Sequence, residues 1–407
     1  MNMTLVAPPA APVMSEQRVS LIGALLVAIG PVSMALFTPA MPELVHAFGT
    51  TEAAVKMTLS LYFAGFAFAQ LVCGPLSDGF GRKPVTFAFM AVYLAATLIA
   101  LLAPTIEVLI AARFLQGVGA AVGVAISRAI VRDLFTSERS ARIMNLIGLI
   151  LGVGPAFAPT LGGVTMELFG WQAIFVFMLL AGIAIILVVR FCMVETVERD
   201  LSRLRPRALA HSYLALLGSP YFMLSSVIMG GSVGALYTLA TVLPFILMNR
   251  VGLTPTEFGV GMLMQSGFFF AGALVMRRAM GRFGAFRLVP VGLAFIGVGS
   301  VALAIGLRLF QPSFFGVMGP VAAYAFGIAF VMPAMLTASL AAFPRMAGAA
   351  ASMSGFFQMG GGLLGGTAAA LIGEPVTAMA TVIPAMGLAA IVSWLMWRRL
   401  PEPATQV

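Results

Sequence analysis

An arginine and a glutamine lie inside one apolar stretch of the sequence, where their side chains could bind an ion or a polar group. Arg113 and Gln116 stand three residues apart in LIAARFLQGVGAA (residues 109–121), so both side chains would lie on one face of a helix. Arg113 falls about one turn inside the stretch, where a charge is costly and usually faces a cavity or a partner. The pair therefore predicts a polar site on a pathway through the molecule. Snorkelling of Arg113 to a nearby surface is the alternative interpretation.

A second polar segment, GPLSDGFGRK (residues 74–83), joins two apolar stretches and holds an acid close to two cations. Asp78 could pair with cations, or accept hydrogen bonds from a helix N-terminus on a facing part of the chain. Asp78, Arg82 and Lys83 would then form a latch that breaks when two parts of the molecule move. A tight basic loop that only fixes orientation in a membrane would explain the same residues.

Small residues and prolines recur at helical spacing in a third stretch, between Gly152 and Gly163. They make a smooth surface for close helix packing, and the prolines bend the helix. Close packing of helices is sufficient to explain the pattern. The alternative interpretation is that this surface takes part in gating. The residues that would take part in gating here are Gly154, Pro155, Pro159, Gly162 and Gly163.

The composition of the chain predicts which elements position these residues. Of the 407 residues, 61% are apolar and 9% are charged, whereas a soluble protein carries about 25% charge. A helix that crosses a bilayer needs about 20 mostly apolar residues, so the apolar content matches about a dozen crossings. The composition predicts an all-α integral membrane protein and excludes a soluble enzyme, a disordered chain and a disulfide scaffold. Cys73 and Cys192 are too few for a metal cluster and are expected to pack as small apolar residues.

Twelve apolar stretches, bounded by charged residues, proline and glycine, are expected to be membrane-spanning helices. They begin near Leu21, Lys56, Pro84, Val108, Arg142, Trp171, Ser219, Glu257, Leu288, Phe314, Met346 and Val376, and the last ends near Trp397. The longest polar run, ETVERDLSRLRPRALAH (residues 195–211), follows the sixth stretch. It predicts a solvated linker with a short amphipathic helix on the membrane surface.

This linker divides the chain into two halves of six helices each. The expected units are an N-terminal bundle (1–193), a cytoplasmic linker (194–217) and a C-terminal bundle (218–407). Gly81-Arg82 and Gly281-Arg282 end equivalent loops about half a chain apart. The repeated pair indicates two parallel six-helix bundles around a central cavity.

The basic residues are distributed unequally between the two sides of the expected membrane. Of 23 Lys and Arg, eighteen fall in connections on one side, and Lys56, Arg250 and Arg308 fall on the other. Loops rich in Lys and Arg stay in the cytoplasm, so both termini are predicted to be cytoplasmic. The net charge of +9 is not arranged as a basic stripe with interleaved aromatics. The expected partner is therefore the lipid bilayer and not a nucleic acid.

Taken together, these segments resemble the signature motifs of the major facilitator superfamily. GPLSDGFGRK resembles the motif G-x-L-x-D-R-x-G-R-K between its second and third helices, with Gly79 in place of the usual Arg. RFLQGVGAA matches the fourth-helix motif R-x-x-Q-G-x-G-A-A, and residues 152–163 resemble the fifth-helix antiporter motif of drug exporters. Further runs resemble those of Bcr/CflA-type multidrug efflux transporters, namely SRAIVRDLF (127–135), GWQAIF (170–175) and AGAAAS (347–352) with Gln358.

The resemblance implies the major facilitator fold, with twelve transmembrane helices in two pseudo-symmetric six-helix bundles. It also implies a monomeric secondary transporter of the bacterial inner membrane, which exports small amphipathic drugs by alternating access in exchange for protons. No cofactor is implied. Asp78, Arg82 and Lys83 would form the cytoplasmic latch, and Arg113 would handle substrate or protons. An uncoupled facilitator or a specific metabolite exporter of the same fold is the alternative.

One departure from the family pattern concerns proton coupling. Relatives often carry an acidic residue in helix one shortly before a P-A-L-P turn, but here the turn is PAMP (39–42) and Ala35 stands at the acidic position. A coupling group must change its charge, and arginine cannot be deprotonated, so Arg113 alone cannot carry the proton. The titratable candidates are Asp133 at the inner end of the fourth stretch and Glu43, His46 or Glu52 at the outer rim.

The lining of the cavity is predicted from polar and aromatic residues inside otherwise apolar stretches, which could offer hydrogen bonds and adaptable apolar contacts. With Arg113 and Gln116, the substrate-binding candidates are Met34, Phe37, Tyr62, Asn145, Tyr237, Gln265, Tyr324 and Gln358. The lack of a buried acid predicts neutral, zwitterionic or anionic amphiphiles as substrates. Neither catalysis nor a metal site is expected, because His46 and His211 fall on opposite sides of the membrane.

Overall fold

The computed structural model describes residues 13–204 and 206–401, with the side chains of residues 137, 141, 145, 149–152 and 203 left out. Within these ranges every regular element is a helix, and twelve helices are long and apolar enough to cross a membrane. The expected all-α fold with twelve membrane helices is confirmed. The candidate side chain of Asn145 lies outside the description.

We number the twelve helices span 1 to span 12 in chain order. Their bounds are Glu16–Ala47, Glu52–Phe80, Arg82–Leu101, Ile106–Leu134, Glu138–Phe169, Trp171–Cys192, Pro220–Arg250, Pro255–Phe283, Ala285–Leu309, Phe314–Ala341, Pro344–Ile372 and Pro375–Trp397. The largest difference from the predicted starts is in span 1, which begins at Glu16 and not near Leu21. Its first turn is polar and is capped by Ser15, whose side chain accepts a hydrogen bond from the N–H of Arg18.

Glycines with a left-handed backbone end the second helix of each half. Span 2 ends at Phe80 before Gly81 (φ 99°), and span 8 ends at Phe283 before Gly284 (φ 80°). Glycine is favoured there because a positive φ is strained for other residues. In the structure Gly81 therefore corresponds to Gly284. The sequence predicted that Gly81 corresponds to Gly281, so the two alignments differ by three residues. Ala285 then takes the place of Arg82, so the C-terminal half has no equivalent of that arginine.

Two large clusters of buried apolar side chains hold the helices together. One is formed by spans 1 to 6, with Ala240 and Phe245 added from span 7, and the other by spans 7 to 12. Span 2 contacts span 11, and span 5 contacts span 8, so these two pairs join the halves. We refer to the halves as the N bundle and the C bundle.

The chain between the bundles forms a short 3₁₀ turn and a helix, Pro206–Leu217. It is attached to span 2, because the Asp200 N–H donates to the Gly79 carbonyl at 3.0 Å and the Tyr213 hydroxyl donates to the Leu71 carbonyl at 2.6 Å. Leu216 of this helix is buried against Phe222 and span 11. The helix thus packs on both bundles at the face where the described chain ends lie, which we call the terminal face.

Candidate functional site

A cavity of about 350 Å³ lies between the two bundles, with walls from spans 1, 2, 4 and 5 on one side and spans 7, 8, 10 and 11 on the other. Its volume falls within the range of small-molecule sites. Of the predicted substrate-binding residues, the structure places Met34, Tyr237, Gln265 and Gln358 on the wall. Most of the other wall residues are apolar, so the cavity suits a small, mainly apolar molecule with a few polar groups.

A second cavity of about 1050 Å³ lies at the terminal face, and we call it the vestibule. Asp78, Arg82, Arg132 and Arg345 are among its lining residues. Five residues border both the vestibule and the central cavity, namely Gln70, Val124, Arg128, Leu336 and Ala351. The central cavity is therefore contiguous with the terminal face.

At the opposite face, contacts between the bundles close the molecule. The ammonium of Lys56 donates to the carbonyl of Gly373 at 2.7 Å. The hydroxyl of Thr160 donates to the carbonyl of Gly259 at 2.9 Å, and the N–H of Thr256 donates to Glu167 at 3.2 Å. Each of these bonds joins one bundle to the other, so the conformation is open at the terminal face and closed at the opposite face.

Lys56 is buried in this closure, which the sequence did not indicate. Its side chain is fully buried, lies 5.3 Å from the ring centroid of Phe245 and 3.8 Å from the carboxylate of Glu52. Span 2 begins at Glu52, so Lys56 lies one turn inside the helix and faces the C bundle. Its bond to Gly373 places a cation at the C-terminal end of span 11, where the helix dipole favours positive charge.

Glu374 lies next to this contact, in the connection before span 12. Partial burial acts to raise its pKa, but hydrogen bonds from Thr377 and Val376 and the nearby guanidinium of Arg250 outweigh that effect. The pKa of Glu374 is therefore held below its ordinary value, and the carboxylate stays charged at the start of span 12.

The small residues of span 5 allow this closure. A Cβ on Gly163 would lie 2.7 Å from the carbonyl carbon of Pro255 in the C bundle, whereas one on Gly162 would lie 3.0 Å from that of Leu36 in span 1, within the N bundle. Across the interface, a Cβ on Gly259 of span 8 would lie 2.8 Å from the carbonyl carbon of Pro159. The candidate gating residues Pro159, Gly162 and Gly163 thus lie at contacts that only glycine-sized groups permit.

The other two gating candidates on span 5 lie nearer the centre of the molecule. Pro155 borders the cavity, as Pro159 does. Gly154 faces span 1, and a Cβ on Gly154 would lie 3.2 Å from a methyl carbon of Val32. Span 5 therefore connects the cavity wall to the closed face.

Arg113 is fully buried inside the N bundle. Its guanidinium carbon lies 4.4 Å from the ring centroids of both Phe37 and Tyr62, and it donates a hydrogen bond to Gln116. Gln116 in turn donates to the hydroxyl of Thr97 at 2.8 Å. Stacking between two aromatic faces stabilises a cation that has left water. The side chain therefore does not snorkel to the surface.

Five substrate-binding candidates do not border the cavity in this conformation. Arg113, Gln116, Phe37 and Tyr62 lie behind the wall inside the N bundle, and Tyr324 lies inside the C bundle, where its hydroxyl donates to the carbonyl of Gly231 at 2.8 Å. Gly117 allows span 2 to approach span 4 closely, so this face of span 4 is covered by protein. Contact of these five residues with substrate stays a prediction.

The candidate latch is assembled around Arg82 at the start of span 3. Arg82 pairs with Asp78 at 2.5 Å and with Asp133 at 3.0 Å. Glu195 of the linker accepts the N–H groups of Arg82 and Lys83 at 2.8 and 3.0 Å, and the ammonium of Lys83 donates to the carbonyl of Met193 at 2.7 Å. All these partners belong to the N bundle or the linker, so among the described residues these latch bonds do not reach the C bundle in this open form.

The remaining proton-coupling candidates lie far apart. Asp133 also accepts a hydrogen bond from the Thr196 hydroxyl at 3.1 Å and belongs to the latch at the terminal face. Glu43 is exposed in the short helix Met41–Ala47 at the opposite face. The structure therefore does not bring Arg113, Asp133 and Glu43 together.

Four polar residues on the cavity wall were not among the candidates, namely Thr38, Gln70, Arg128 and Ser266, and Gln70 and Arg128 also border the vestibule. Arg128 of span 4 borders both cavities. It lies one helical turn after Val124, which borders both cavities as well, so the two residues share one face of the helix. Gln70 of span 2 borders both as well, and its side-chain oxygen is buried without a hydrogen-bond partner among the described residues. The signal in the sequence that could have identified Arg128 was its position inside the fourth apolar stretch.

A sequence profile described as Major Facilitator Superfamily matches residues 23–369. The chain belongs to the major facilitator superfamily. The predicted family is thereby confirmed, and this major facilitator protein is a multi-pass membrane protein whose family and fold point to transport.

Two similar proteins come from bacteria. Multidrug resistance protein D of Escherichia coli strain K12 is 27% identical over 378 residues, which cover 91% of this chain and 93% of that protein. Multidrug resistance protein MdtL of Shigella flexneri serotype 5b is 29% identical over 349 residues, 86% of this chain and 87% of that protein.

Two solved structures share the fold. A D-xylose-proton symporter superposes with a TM-score of 0.75 at 12% identity, covering 96% of this chain and 99% of that one. The human organic anion transporter MFSD10 superposes with a TM-score of 0.67 at 18% identity, covering 94% and 99%. At these identities the likeness concerns the fold.

Proposed function

We propose that this major facilitator protein exports small amphipathic molecules from the bacterial cytoplasm across the inner membrane by alternating access. The single observation that carries the proposal is the central cavity, which is contiguous with the vestibule and closed at the opposite face. The multidrug resistance proteins among its relatives support export of drugs. The substrate would cross unchanged, without catalysis and without a cofactor, and one copy of the chain would suffice.

In this proposal the terminal face is cytoplasmic. The vestibule is bordered by Arg82, Arg128, Arg132 and Arg345, and positively charged loops stay on the cytoplasmic side. The bundles would be residues 1–193 and 218–407, joined by the cytoplasmic linker 194–217. The described conformation would then take up substrate from the cytoplasm.

Export requires the closed face to open and the vestibule to close. The bonds of Lys56 to Gly373 and of Thr160 to Gly259 would break, because each joins the two bundles. Asp78 is 44% exposed beside Arg82, so its carboxylate can accept a partner from the C bundle when the vestibule closes. The latch would thereby stabilise the second conformation.

We further propose that export is driven by protons and that Asp133 is the titrating group. Its carboxylate is bonded to Arg82 and Thr196, so protonation would weaken the latch. Arg113 would contribute a fixed positive charge inside the N bundle, and Glu43 would meet protons at the outer face. Substrate contacts would come from the wall residues Met34, Tyr237, Gln265 and Gln358.

One observation favours a second candidate, an uncoupled facilitator or specific metabolite exporter of the same fold. Among the described residues that border the central cavity, none is acidic. Within the described part of the cavity wall, a proton and a substrate therefore cannot compete for the same carboxylate, as direct coupling would require.

Reconstitution in proteoliposomes separates the two candidates. We expect a pH gradient, acidic on the side that receives the substrate, to accelerate transport of a fluorescent amphiphile, and Asp133→Asn to abolish that acceleration. Glu138→Gln is the matched control, because Glu138 is an exposed acid in the next helix. Equal rates with and without the gradient would refute proton coupling and leave the facilitator, and no transport in either case would refute export.

A further inference from the structure

Arg128 occupies a distinctive position on the wall of the central cavity. It lies on the last two turns of span 4, borders both the cavity and the vestibule, and is exposed to them. None of the ion pairs among the described residues involves Arg128. A molecule that moves from the vestibule to the cavity therefore passes a guanidinium that has no carboxylate partner within the described part of the chain.

The charge of the cavity is set by this one residue. Among the described residues on the cavity wall, Arg128 is the charged one, and the others are apolar or neutral polar. Asp78 is the acidic residue that borders the vestibule, but it is paired with Arg82 at 2.5 Å. A cation beside apolar walls attracts anions more strongly than the same cation in water does.

The rest of the wall suits the apolar part of such a molecule. Phe66, Met229, Met262, Phe269, Met332 and Met359 line the cavity on both bundles. Methionine and aromatic side chains adapt to irregular apolar shapes. The side-chain oxygens of Gln70 and Gln265 are buried without hydrogen-bond partners among the described residues, so they can accept from N–H or O–H groups of a ligand.

We infer that Arg128 recognises an anionic group of the substrate, and that the preferred substrates are amphiphiles carrying one carboxylate, sulfonate or phosphate. This inference rests on the proposed export function and assigns its substrate class. The anionic group lies at Arg128, on the vestibule side, and the apolar body lies among the Met and Phe side chains. Arg113, fully buried between Phe37 and Tyr62, does not take this role.

Two fluorescent probes with the same aromatic skeleton test the inference. Anilinonaphthalene sulfonate carries the anionic group, and phenylnaphthylamine lacks it. Binding is measured by equilibrium dialysis against the full chain in lipid nanodiscs, with empty nanodiscs subtracted. We expect Arg128→Gln to weaken binding of the sulfonate between about 10- and 100-fold, the range for loss of a hydrogen bond to a charged group, and to change binding of the amine less than about twofold.

Two further variants make the result specific. Arg128→Lys keeps the charge and should retain most of the affinity for the sulfonate. Arg132→Gln is the matched control, because Arg132 lies one turn further on the same helix and borders the vestibule but not the cavity. We expect it to bind both probes like the original chain. Elution as a single species in size-exclusion chromatography establishes that each variant is folded.

Three results would overturn the inference, namely equal weakening of both probes by Arg128→Gln, unchanged binding of the sulfonate, or the same loss in Arg132→Gln. Transport of the two probes in proteoliposomes distinguishes this failure from failure of the proposed function. Transport that does not depend on Arg128 refutes the inference and supports export. Binding of the sulfonate that depends on Arg128, without transport of either probe, supports the inferred site and refutes export.

Discussion

Replacement of Gly163 by alanine should shift the protein out of the described conformation. A Cβ at this position would lie 2.7 Å from the carbonyl carbon of Pro255 and 3.0 Å from the Cα of Thr256. Both atoms belong to the backbone of the facing bundle, so they cannot rotate away as a flexible side chain could. Overpacking of this kind costs about 1–3 kcal/mol.

This cost applies only while the opposite face is closed, because Gly163 and Pro255 separate when that face opens. A destabilisation of about 1–3 kcal/mol in one of two states changes their ratio by about 5- to 150-fold. The alanine variant should therefore populate the form that is open at the opposite face. Gly259→Ala should act in the same direction, because its Cβ would meet the backbone of Pro159.

Pulsed electron paramagnetic resonance in liposomes measures this shift. Spin labels are attached through Leu102→Cys and Leu309→Cys, two residues that are each 70% exposed at the opposite-face ends of spans 3 and 9. Cys73 and Cys192 are replaced by alanine beforehand. We expect Gly163→Ala to increase the population at the longer distance.

Gly267→Ala is the control, because nothing lies within 4 Å of a Cβ at Gly267. An unchanged distance distribution in Gly163→Ala would refute the reasoning. An equal shift in Gly267→Ala would refute it as well, since that substitution meets no neighbouring atom.

Three further predictions concern single contacts. Arg113→Met should keep or raise the melting temperature, because two guanidinium nitrogens are buried without hydrogen-bond partners among the described residues and an apolar replacement of a buried charge is often neutral or stabilising. The same variant should lower export in proteoliposomes, because the fixed charge inside the N bundle is lost. Thr160→Val loses the hydrogen bond to the C bundle and should therefore favour the form that is open at the opposite face by about 0.5–1.5 kcal/mol. The same spin labels measure this shift. Thr165→Val is the control and should cause no shift, because it loses only a hydrogen bond within span 5. Glu195→Ala should lower the free energy of unfolding by about 1–2 kcal/mol in thermal denaturation through loss of the carboxylate that caps span 3, and exposed Glu198→Ala should leave it unchanged.

Much of the fold could be predicted because the lipid environment constrains the sequence strongly. Each crossing needs a long apolar run, and charged or small residues mark the connections. The starts of spans 6 and 10, Trp171 and Phe314, coincide with the predicted ones. The motif residues Arg82 and Asp133 also meet in one cluster, although they are 51 residues apart in the chain.

The assignment of residues to the cavity wall was less predictable. A membrane helix is apolar on the side facing lipid and on the side facing protein, so its hydrophobic pattern does not show which face borders a cavity. Arg113 and Arg128 both fall within the fourth apolar stretch, but the first is covered by Phe37 and Tyr62 and the second is open to the cavity. The rotation of span 4 that decides between them depends on its close contact with span 2.

Contacts between the bundles could not be predicted either. Lys56 falls next to a connection in the sequence, where a solvated lysine is the ordinary expectation. Its burial depends on Gly373, 317 residues further along the chain. Such a contact belongs to one conformation of the two bundles and leaves no local pattern.

A reversible cross-link across the closed face tests the central claim most directly. A Cβ on Gly366 would lie 3.5 Å from the Cβ of Ser60, which is within the range that a disulfide requires. In the background lacking Cys73 and Cys192, oxidation of the Ser60→Cys, Gly366→Cys double variant should stop transport of a fluorescent amphiphile, and reduction should restore it. Undiminished transport by the fully oxidised protein would contradict the claim that the bundles open the cavity to each face in turn.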